Sequence, residues 1–299
     1  MLDVRRLRLL CDLSRLGTIA AVAQAHTYTP SAVSQQLSML EREAGVALLE
    51  RTGRRVTFTA AGRVVVQHAE TVLAALEHTT AALAAVATGL SGPLRIGAFP
   101  TAVRTLLPAA LVALGHRHPG LELMVTECDP VAVPAALRER RLDVGLLHDY
   151  DIVPVEADPV LDAVPLLDET VFLAVPETTP TGEDADALRD MHDAAWIMAS
   201  PGTLCHTVTL HVCRAAGFTP RARHHADDFA TVLTLVAADQ GVSLVPQLAA
   251  TQSPAGVRLI PLPTRRRTRI AYRRGAAMHP AVAAFISAIS ASTSAFLKH

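Results

Sequence analysis

Thr18–Leu40, TIAAVAQAHTYTPSAVSQQLSML, decides how the rest of this chain is read. A short apolar run (Ile19, Val22, Ala23) meets a polar break at His26-Thr27-Tyr28-Thr29, and a second segment opens with Pro30-Ser31. Thr29 suits an N-cap, because its hydroxyl accepts one of the unpaired N–H groups of a first helical turn. Pro30 suits the next position, where its missing N–H costs nothing. Val33, Leu37 and Leu40 recur at helical spacing and are predicted to face inward. Ser31, Ser34, Gln35 and Ser38 fall on the opposite face, which is short, rich in hydroxyls and amide, and uncharged. Two helices joined by a tight turn, the second carrying small donors and acceptors, is the layout of a helix-turn-helix, whose second helix enters the major groove. An ordinary helical hairpin with a solvated face fits the same residues, so the flanks decide between them.

Upstream, Val4, Leu7, Leu10, Cys11 and Leu13 are spaced for a helix that Gly17 ends and Thr18 follows as the next cap. Downstream, Glu41-Arg42-Glu43-Ala44-Gly45 runs into a C-terminal glycine. In the following ALLERTGRRVTFTAAG, Thr52-Gly53 reads as a turn between two short segments, and Val56-Thr57-Phe58 is strand-like. Arg51, Arg54 and Arg55 crowd the tip of that hairpin, as in a wing whose arginines lie along phosphates or reach into a narrow minor groove. The bland alternative is a solvated surface turn.

The whole chain has 299 residues, half of them hydrophobic but 4% aromatic, and a formal net charge of −1. That length predicts about two domains with Ala, Val and Leu cores. The first 60 residues differ from the rest in holding eight arginines against five acids. A modestly basic head on a neutral body fits local phosphate contact better than wholesale coating of nucleic acid. Cys11, Cys128, Cys205 and Cys213 have no framework spacing, and neither a leader nor a long uncharged apolar run is apparent. A reducing, cytoplasmic location without membrane contact is expected.

On these residues the first 62 positions resemble the N-terminal winged helix-turn-helix of the LysR-type transcriptional regulators. The matching run is Leu7 and Leu10, Gly17-Thr18-Ile19, Ala23, Thr29 through Leu37, Leu40-Glu41, Gly45, Leu48-Leu49-Glu50-Arg51 and Thr59-Ala60-Ala61-Gly62. The resemblance implies DNA contacts by Thr29, Pro30, Ser31, Ser34, Gln35 and Gln36, with Arg51, Arg54 and Arg55 on the backbone. Two positions depart from the family pattern. His26 stands where leucine is usual, which predicts looser or pH-sensitive packing of the first helices. Gln35 stands where many members carry arginine, which predicts adenine in place of guanine, since a glutamine amide suits adenine. The chain contains no asparagine, so bidentate amide reading of adenine falls to glutamine.

Beyond Gly62, Val66, Ala69, Leu73, Leu76, Thr80, Leu83, Ala87 and Leu90 alternate steps of three and four over nearly four heptads. Such a stripe on a lone helix predicts pairing with the same helix of a second subunit, setting two heads on a two-fold operator. Packing on its own domain is the alternative. Gly89 and Ser91-Gly92-Pro93 are predicted to break the helix.

From Leu94 the pattern turns to alternating strands and helices. Strands are expected at 94–98, 121–126, 142–147, 164–167, 171–175, 196–198, 242–246, 259–262 and 268–273. Helices are expected at 101–114, 131–140, 203–216, 228–238 and 280–296, with His224-His225 in a loop. Residues 94–299 resemble the family's effector-binding domain, a two-lobed, periplasmic-binding-protein-like α/β fold, on Leu142-Asp143-Val144-Gly145 and Val236 through Pro246. The expected division is a head at 1–60, a linker helix at 61–90, and lobes at 94–163 plus 265–299 and at 164–264.

In such a fold a ligand sits between the lobes, near strand ends and helix starts. Thr101, Asp129, His148, Ser200, Thr203 and Asp228 are the candidate contacts, although a plain capping or packing role fits each. His148 follows a strand expected to cross between lobes, where some family members place a ligand-contacting arginine; with histidine there, a dicarboxylate loses appeal and the aspartates leave room for an amine. Cys205-His206 and His211-x-Cys213 place four potential metal ligands in nine residues, but one helix cannot close a tetrahedron with them. No phosphate-cradling loop, nucleophile elbow or zinc-protease motif is present, so no enzyme, cofactor or metal is expected. The expected partners are double-stranded operator DNA, a small-molecule effector and further copies of the chain, a dimer of dimers by the resemblance. The competing class is a cytoplasmic small-molecule-binding protein whose N-terminal helices serve oligomerisation.

Overall fold

Three hydrophobic patterns give three packed units. The structure, a computed structural model, describes residues 1–52, 55–86, 90–153, 158–182 and 186–296, with side chains omitted at 51, 52 and 55.

The head comprises α1 (Val4–Leu16), α2 (Ile19–Ala25), α3 (Pro30–Ala44) and the antiparallel hairpin β1 (Leu49–Thr52) and β2 (Arg55–Phe58). Its helix ends are set locally. Asp3 accepts from the Arg5 and Arg6 amides, Thr18 from Ala21 and Thr29 from Ala32, while Gly17 and Gly45 close α1 and α3 in the left-handed region. Leu10, Val22, Val33 and Leu40 from all three helices are wholly buried together, with Leu48 sealing the end of the hairpin.

The linker helix α4 (Ala60–Val86) runs 27 residues, roughly 40 Å. It starts against the head at Gly62, where a Cβ would lie 2.0 Å from the Leu48 carbonyl oxygen, so only glycine fits. The expected stripe is split. Val66, Ala69 and Leu73 pack on the head's own core, and Ala81 is buried too, whereas Leu76 and Leu83 are exposed. Val72 and Val86 join the exposed pair, making a second apolar stripe that faces outward. Ala87 and Gly89 lie outside the described residues. Leu90 packs on the body, and Ser91-Gly92-Pro93, expected as a break, already belongs to a strand.

The body follows as β3 (Ser91–Ala98), α5 (Pro100–Thr105), α6 (Leu107–Arg117), β4 (Gly120–Glu127), α7 (Val133–Arg138), β5 (Val144–Tyr150) and β6 (Leu161–Pro176). Then come α8 (Ala187–Asp190), β7 (Ala195–Met198), α9 (Leu204–Ala215), β8 (Arg221–His225), α10 (Phe229–Ala237) and β9 (Ser243–Pro246). The chain ends with α11 (Gln247–Ala250), β10 (Val257–Arg273) and α12 (Pro280–Phe296). Six strands form one sheet in the order β4-β3-β5-β10-β6-β9, with β4-β3-β5 parallel and the remaining pairs antiparallel. β7 and β8 pair in parallel beside it, joined through a bridge between Trp196 and Val242.

Several expected elements are redrawn. The helix expected over 101–114 breaks at Leu106, because Pro108 has no N–H to continue the ladder of α5. The strands expected at 164–167 and 171–175 are one strand, β6, and those at 259–262 and 268–273 are one strand, β10. Each of these runs roughly 55 Å at 3.3 Å per residue, long enough to thread both lobes. β10 carries a register shift between Pro261 and Arg265, where the two prolines at 261 and 263 cannot donate to the ladder. His224 and His225, expected in a loop, lie on β8. The exposed pattern of that edge strand gave no apolar alternation to read.

One lobe packs Leu94, Ile96, Leu106, Leu107, Val144, Phe285 and Ile289 around the parallel end of the sheet. The other packs Val171, Leu173, Trp196, Met198, Val208, Val212, Leu244 and Ile260. The middle of β5, β6 and β10 lies between these two cores.

Candidate DNA-reading face and interlobe centre

On α3 the inward residues Val33, Leu37 and Leu40 anchor the helix, and burying each full side chain stabilises the head by about 1.5–3 kcal/mol. The opposite face is left to solvent. Ser31, Gln35 and Ser38 are exposed and Ser34 is half-buried, so four short polar groups project from one side of the helix. Thr29 caps the helix through Oγ1, which accepts from Ala32 N at 3.2 Å and lies 3.0 Å from Ser31 Oγ. Gln36 is turned toward α1, its Oε1 accepting from Arg6 Nε at 3.0 Å. His26 is taken up by Asp12, with Nε2 2.8 Å from Oδ2, so a polar pair fills the space expected for leucine. Of the expected wing cations, Arg54 lies outside the described residues, as do the side chains of Arg51 and Arg55.

The interlobe centre is built by cross-strand register. Arg266 on β10 faces Tyr150 on β5, Thr268 faces His148, and Glu169 on β6 faces Arg266 from the other side. Residues two apart on a strand share a face, so Arg266, Thr268, His148 and Tyr150 form a two-by-two block with Glu169 at its flank. All five are buried, and Arg266 and Glu169 have no accessible surface. Arg266 Nε donates to Glu169 Oε1 at 2.7 Å, and Leu248 N donates to Glu169 Oε2 at 2.8 Å. The Arg266 guanidinium also lies over the Phe99 ring at 5.0 Å from its centroid. Burial opposes its charge, but the Glu169 carboxylate outweighs this and holds the pKa above the ordinary arginine value.

His148 packs edge-on between Phe99 and Tyr150, at 5.0 and 5.6 Å between centroids. Burial, reinforced by Arg266, depresses its pKa well below the ordinary histidine value, so it is neutral at physiological pH. Four buried polar atoms of the block form no hydrogen bond among the described residues: His148 Nδ1, Arg266 Nη1, Arg266 Nη2 and Thr268 Oγ1, although Nη2 lies 2.7 Å from Glu169 Oε1 in the ion pair. Such orphans are rare in a finished core.

Cys205, at the start of α9, comes within 3.6 Å of Tyr150 Oη. Burial pushes its thiol above the ordinary range, and the Tyr150 hydrogen bond and Arg266 only partly oppose that.

The other expected contacts are distributed around this centre. Thr101 is buried in the first turn of α5. Asp129 is exposed and caps a single 3₁₀ turn through the Val131 amide. Ser200 is held by Asp227, its N and Oγ each 2.7 Å from a carboxylate oxygen. Thr203 caps α9 through His206 N, and Asp228 caps α10 through Thr231 N. Asp228 also pairs with Arg104 of α5 at 2.6 Å, a tie from one lobe to the other. The sequence reading missed Phe99, Tyr150, Glu169, Arg266 and Thr268. Alternation along one long β10 carried the signal, since Leu262, Thr264, Arg266, Thr268 and Ile270 are all buried while Pro263, Arg267 and Arg269 between them are exposed.

Comparison with known proteins places these features in a family. The profile described as "Bacterial regulatory helix-turn-helix protein, lysR family" matches residues 4–63, and that described as "LysR substrate binding domain" matches residues 87–294. A probable hydrogen peroxide-inducible genes activator of Mycobacterium avium is 33% identical over 81% of this chain and 77% of its own length. The DNA-binding transcriptional dual regulator OxyR of Escherichia coli K12 is 30% identical over 83% and 80%. Among solved structures, a cysteine mutant of Corynebacterium glutamicum OxyR superposes with a TM-score of 0.61 at 24% identity, covering 100% of this chain and 94% of that one. Full-length CbnR complexed with its target DNA gives 0.54 at 22% identity over 98% and 100%, a likeness of fold. The chain belongs to the LysR family of bacterial transcriptional regulators.

Proposed function

We propose that this regulator reads its operator with the exposed face of α3 and receives its signal at the buried block between its lobes. The observation that carries the first half is the division of α3 into an inner face of Val33, Leu37 and Leu40 and an outer face of Ser31, Ser34, Gln35 and Ser38. Residues 29–36 read the bases, Gln35 pairing with an adenine edge and Gln36 standing beside Arg6. Arg51, Arg54 and Arg55 hold the flanking backbone. The protein works as a homo-oligomer, a dimer of dimers, paired in part through the outward stripe of α4. No helix among the described residues is long and apolar enough to cross a membrane, and we place the protein in the cytoplasm.

The lobes, taken as residues 94–163 with 265–299 and as residues 164–264, close on the block. Arg266 is already neutralised by Glu169 and His148 is neutral, so a small ligand with one oxygen-rich end suits the orphaned donors better than a dianion. Its binding shifts the lobes only by the difference in its affinity for their arrangements. A gel shift with the DNA upstream of its own gene, at two salt concentrations, tests the assignment. Loss of affinity with rising salt is expected, and absence of binding at low salt supports the small-molecule-binding alternative.

A second signal has its own support. The curated relatives are named for hydrogen peroxide, and Cys205 lies within reach of the block. In that reading the Cys205 sulfur attacks one peroxide oxygen, the O–O bond breaks, and the thiol proton goes to the departing hydroxide, leaving a sulfenic acid and water. A disulfide between Cys205 and Cys213 requires α9 to unwind, because eight residues of helix separate them by roughly 12 Å and a disulfide needs Cα atoms within about 7 Å. Mass spectrometry of Cys205 after peroxide treatment, beside a Cys205→Ser control, separates the two signals.

A further inference from the structure

The inward stripe of α4 contains a buried charge well beyond its contacts with the head core. Val66, Ala69, Leu73 and Ala81 are apolar, yet Glu77 among them is buried. Its two oxygens reach out of the linker into the body. Oε1 accepts from Arg273 Nε at 2.8 Å, at the end of β10, and Oε2 from Arg140 Nη2 at 2.5 Å, just after α7. Arg273 is fixed in turn, its Nη1 donating to the carbonyls of Leu137 and Leu142 at 3.0 and 2.7 Å.

The head reaches the same joint through Arg8 of α1. Arg8 is half-buried and forms no hydrogen bond or ion pair among the described residues. Burial disfavours its charge most, and Arg140 disfavours it next. Three guanidinium groups, one from the head and two from the body, therefore gather beside the Glu77 carboxylate. Burial opposes ionisation of Glu77, but Arg273 and Arg140 outweigh it and hold its pKa below the ordinary range. The backbone is close-fitting here too. Gly275 (φ +90°) lies so near α4 that a Cβ would come within 2.4 Å of the Ala74 carbonyl oxygen.

We propose that Glu77 is the positioning residue through which the effector-binding body sets the placement of the reading head. A side chain that served only to pair linker helices would point outward with Leu76 and Leu83. Glu77 instead ties the linker to β10, the strand that also carries Arg266 seven residues earlier, so the interlobe centre and the joint share one rigid element. Removing the carboxylate leaves Arg8 and Arg140 facing Arg273 without the linker's counter-charge, while Arg273 keeps Asp143 Oδ1 at 3.3 Å from Nη2. The proposal rests on the reading that head placement decides operator choice.

Selection from random duplex DNA with the full chain tests it. The wild type is expected to enrich two half-sites at one separation. Glu77→Gln is expected to enrich the same half-site bases at several separations, with roughly ten-fold weaker binding to the wild-type site and binding to random duplex within about two-fold. Glu77→Asp, which keeps the carboxylate, is expected to restore much of the spacing preference. Should Glu77→Gln fail to fold, Arg140→Gln removes one arm from a largely exposed arginine and is expected to broaden the spacing with a roughly three-fold loss. Unchanged separation and affinity in folded variants overturns the role of Glu77, even if their melting temperatures fall. Failure of the wild type to enrich any sequence overturns operator reading itself.

Discussion

Arg266 donates from Nε to Glu169 Oε1 at 2.7 Å, and neither side chain has any surface exposed to water. Partners 97 residues apart thus neutralise each other where the two lobes meet. Glu169→Gln leaves Arg266 charged and uncompensated and is expected to cost about 3–5 kcal/mol, read from urea unfolding. Replacing both, as Glu169→Gln with Arg266→Met, is expected to recover most of that. A single replacement costing less than about 1 kcal/mol contradicts the assignment of a buried pair.

Arg104 and Asp228 tie the lobes at a place where both side chains are about a third exposed. Arg104→Ala is therefore expected to change stability by less than about 1 kcal/mol. It should nevertheless let the lobes part more often, exposing Cys205 behind them. Faster alkylation of Cys205, followed by peptide mass mapping, is the expected result; an unchanged rate argues that the pair does not hold the lobes together.

The DNA-reading assignment makes two distinguishable expectations. Gln35→Ala should relax preference at one base pair, by about 1–3 kcal/mol, while binding to random duplex is retained. Arg54→Glu should weaken binding to all sequences and flatten the salt dependence. Competition binding at several salt concentrations reads both, and equal loss on specific and random DNA would remove Gln35 from its role.

Burial pushes the thiols of Cys11 and Cys213 from an ordinary 9.0 up to about 12. The folded state thus favours their protonated forms. That contribution is fully present below pH 9, where the unfolded chain is protonated too, and is lost as pH rises toward 12. Cys213→Ala should show a shallower decline of melting temperature across that window than the wild type, whatever its stability at neutral pH. A parallel decline in both proteins counts against a buried, protonated Cys213.

Val72, Leu76, Leu83 and Val86 form the outward stripe of α4 and take no part in the buried cores. Leu76→Glu with Leu83→Glu is expected to shift the oligomer toward smaller species in sedimentation, with little change in helix content. An unchanged distribution would place subunit pairing elsewhere.

The head was largely legible in its residues because its determinants are local. Thr18, Thr29 and Pro30 start helices, Gly17 and Gly45 end them, and Val33, Leu37 and Leu40 mark an inner face, all within a few residues of the structure they set. Reading two strands where β10 is one hid the alternation that buries Arg266 and Thr268. The linker stripe misled for a related reason. Heptad spacing locates apolar faces, but α4 has two of them, and spacing alone does not assign one to the head and the other to a partner.

By itself, then, the sequence determined the helix-turn-helix, the family and the alternating plan of the body, since short-range sterics and periodic burial act between near neighbours. Only the tertiary structure decided that Arg266 meets Glu169, that Asp228 of one lobe meets Arg104 of the other, and that Glu77 is held by Arg140 and Arg273. Each of those side chains is polar, and a polar residue carries no periodic sign of whether it will face water or a charge brought to it from far along the chain.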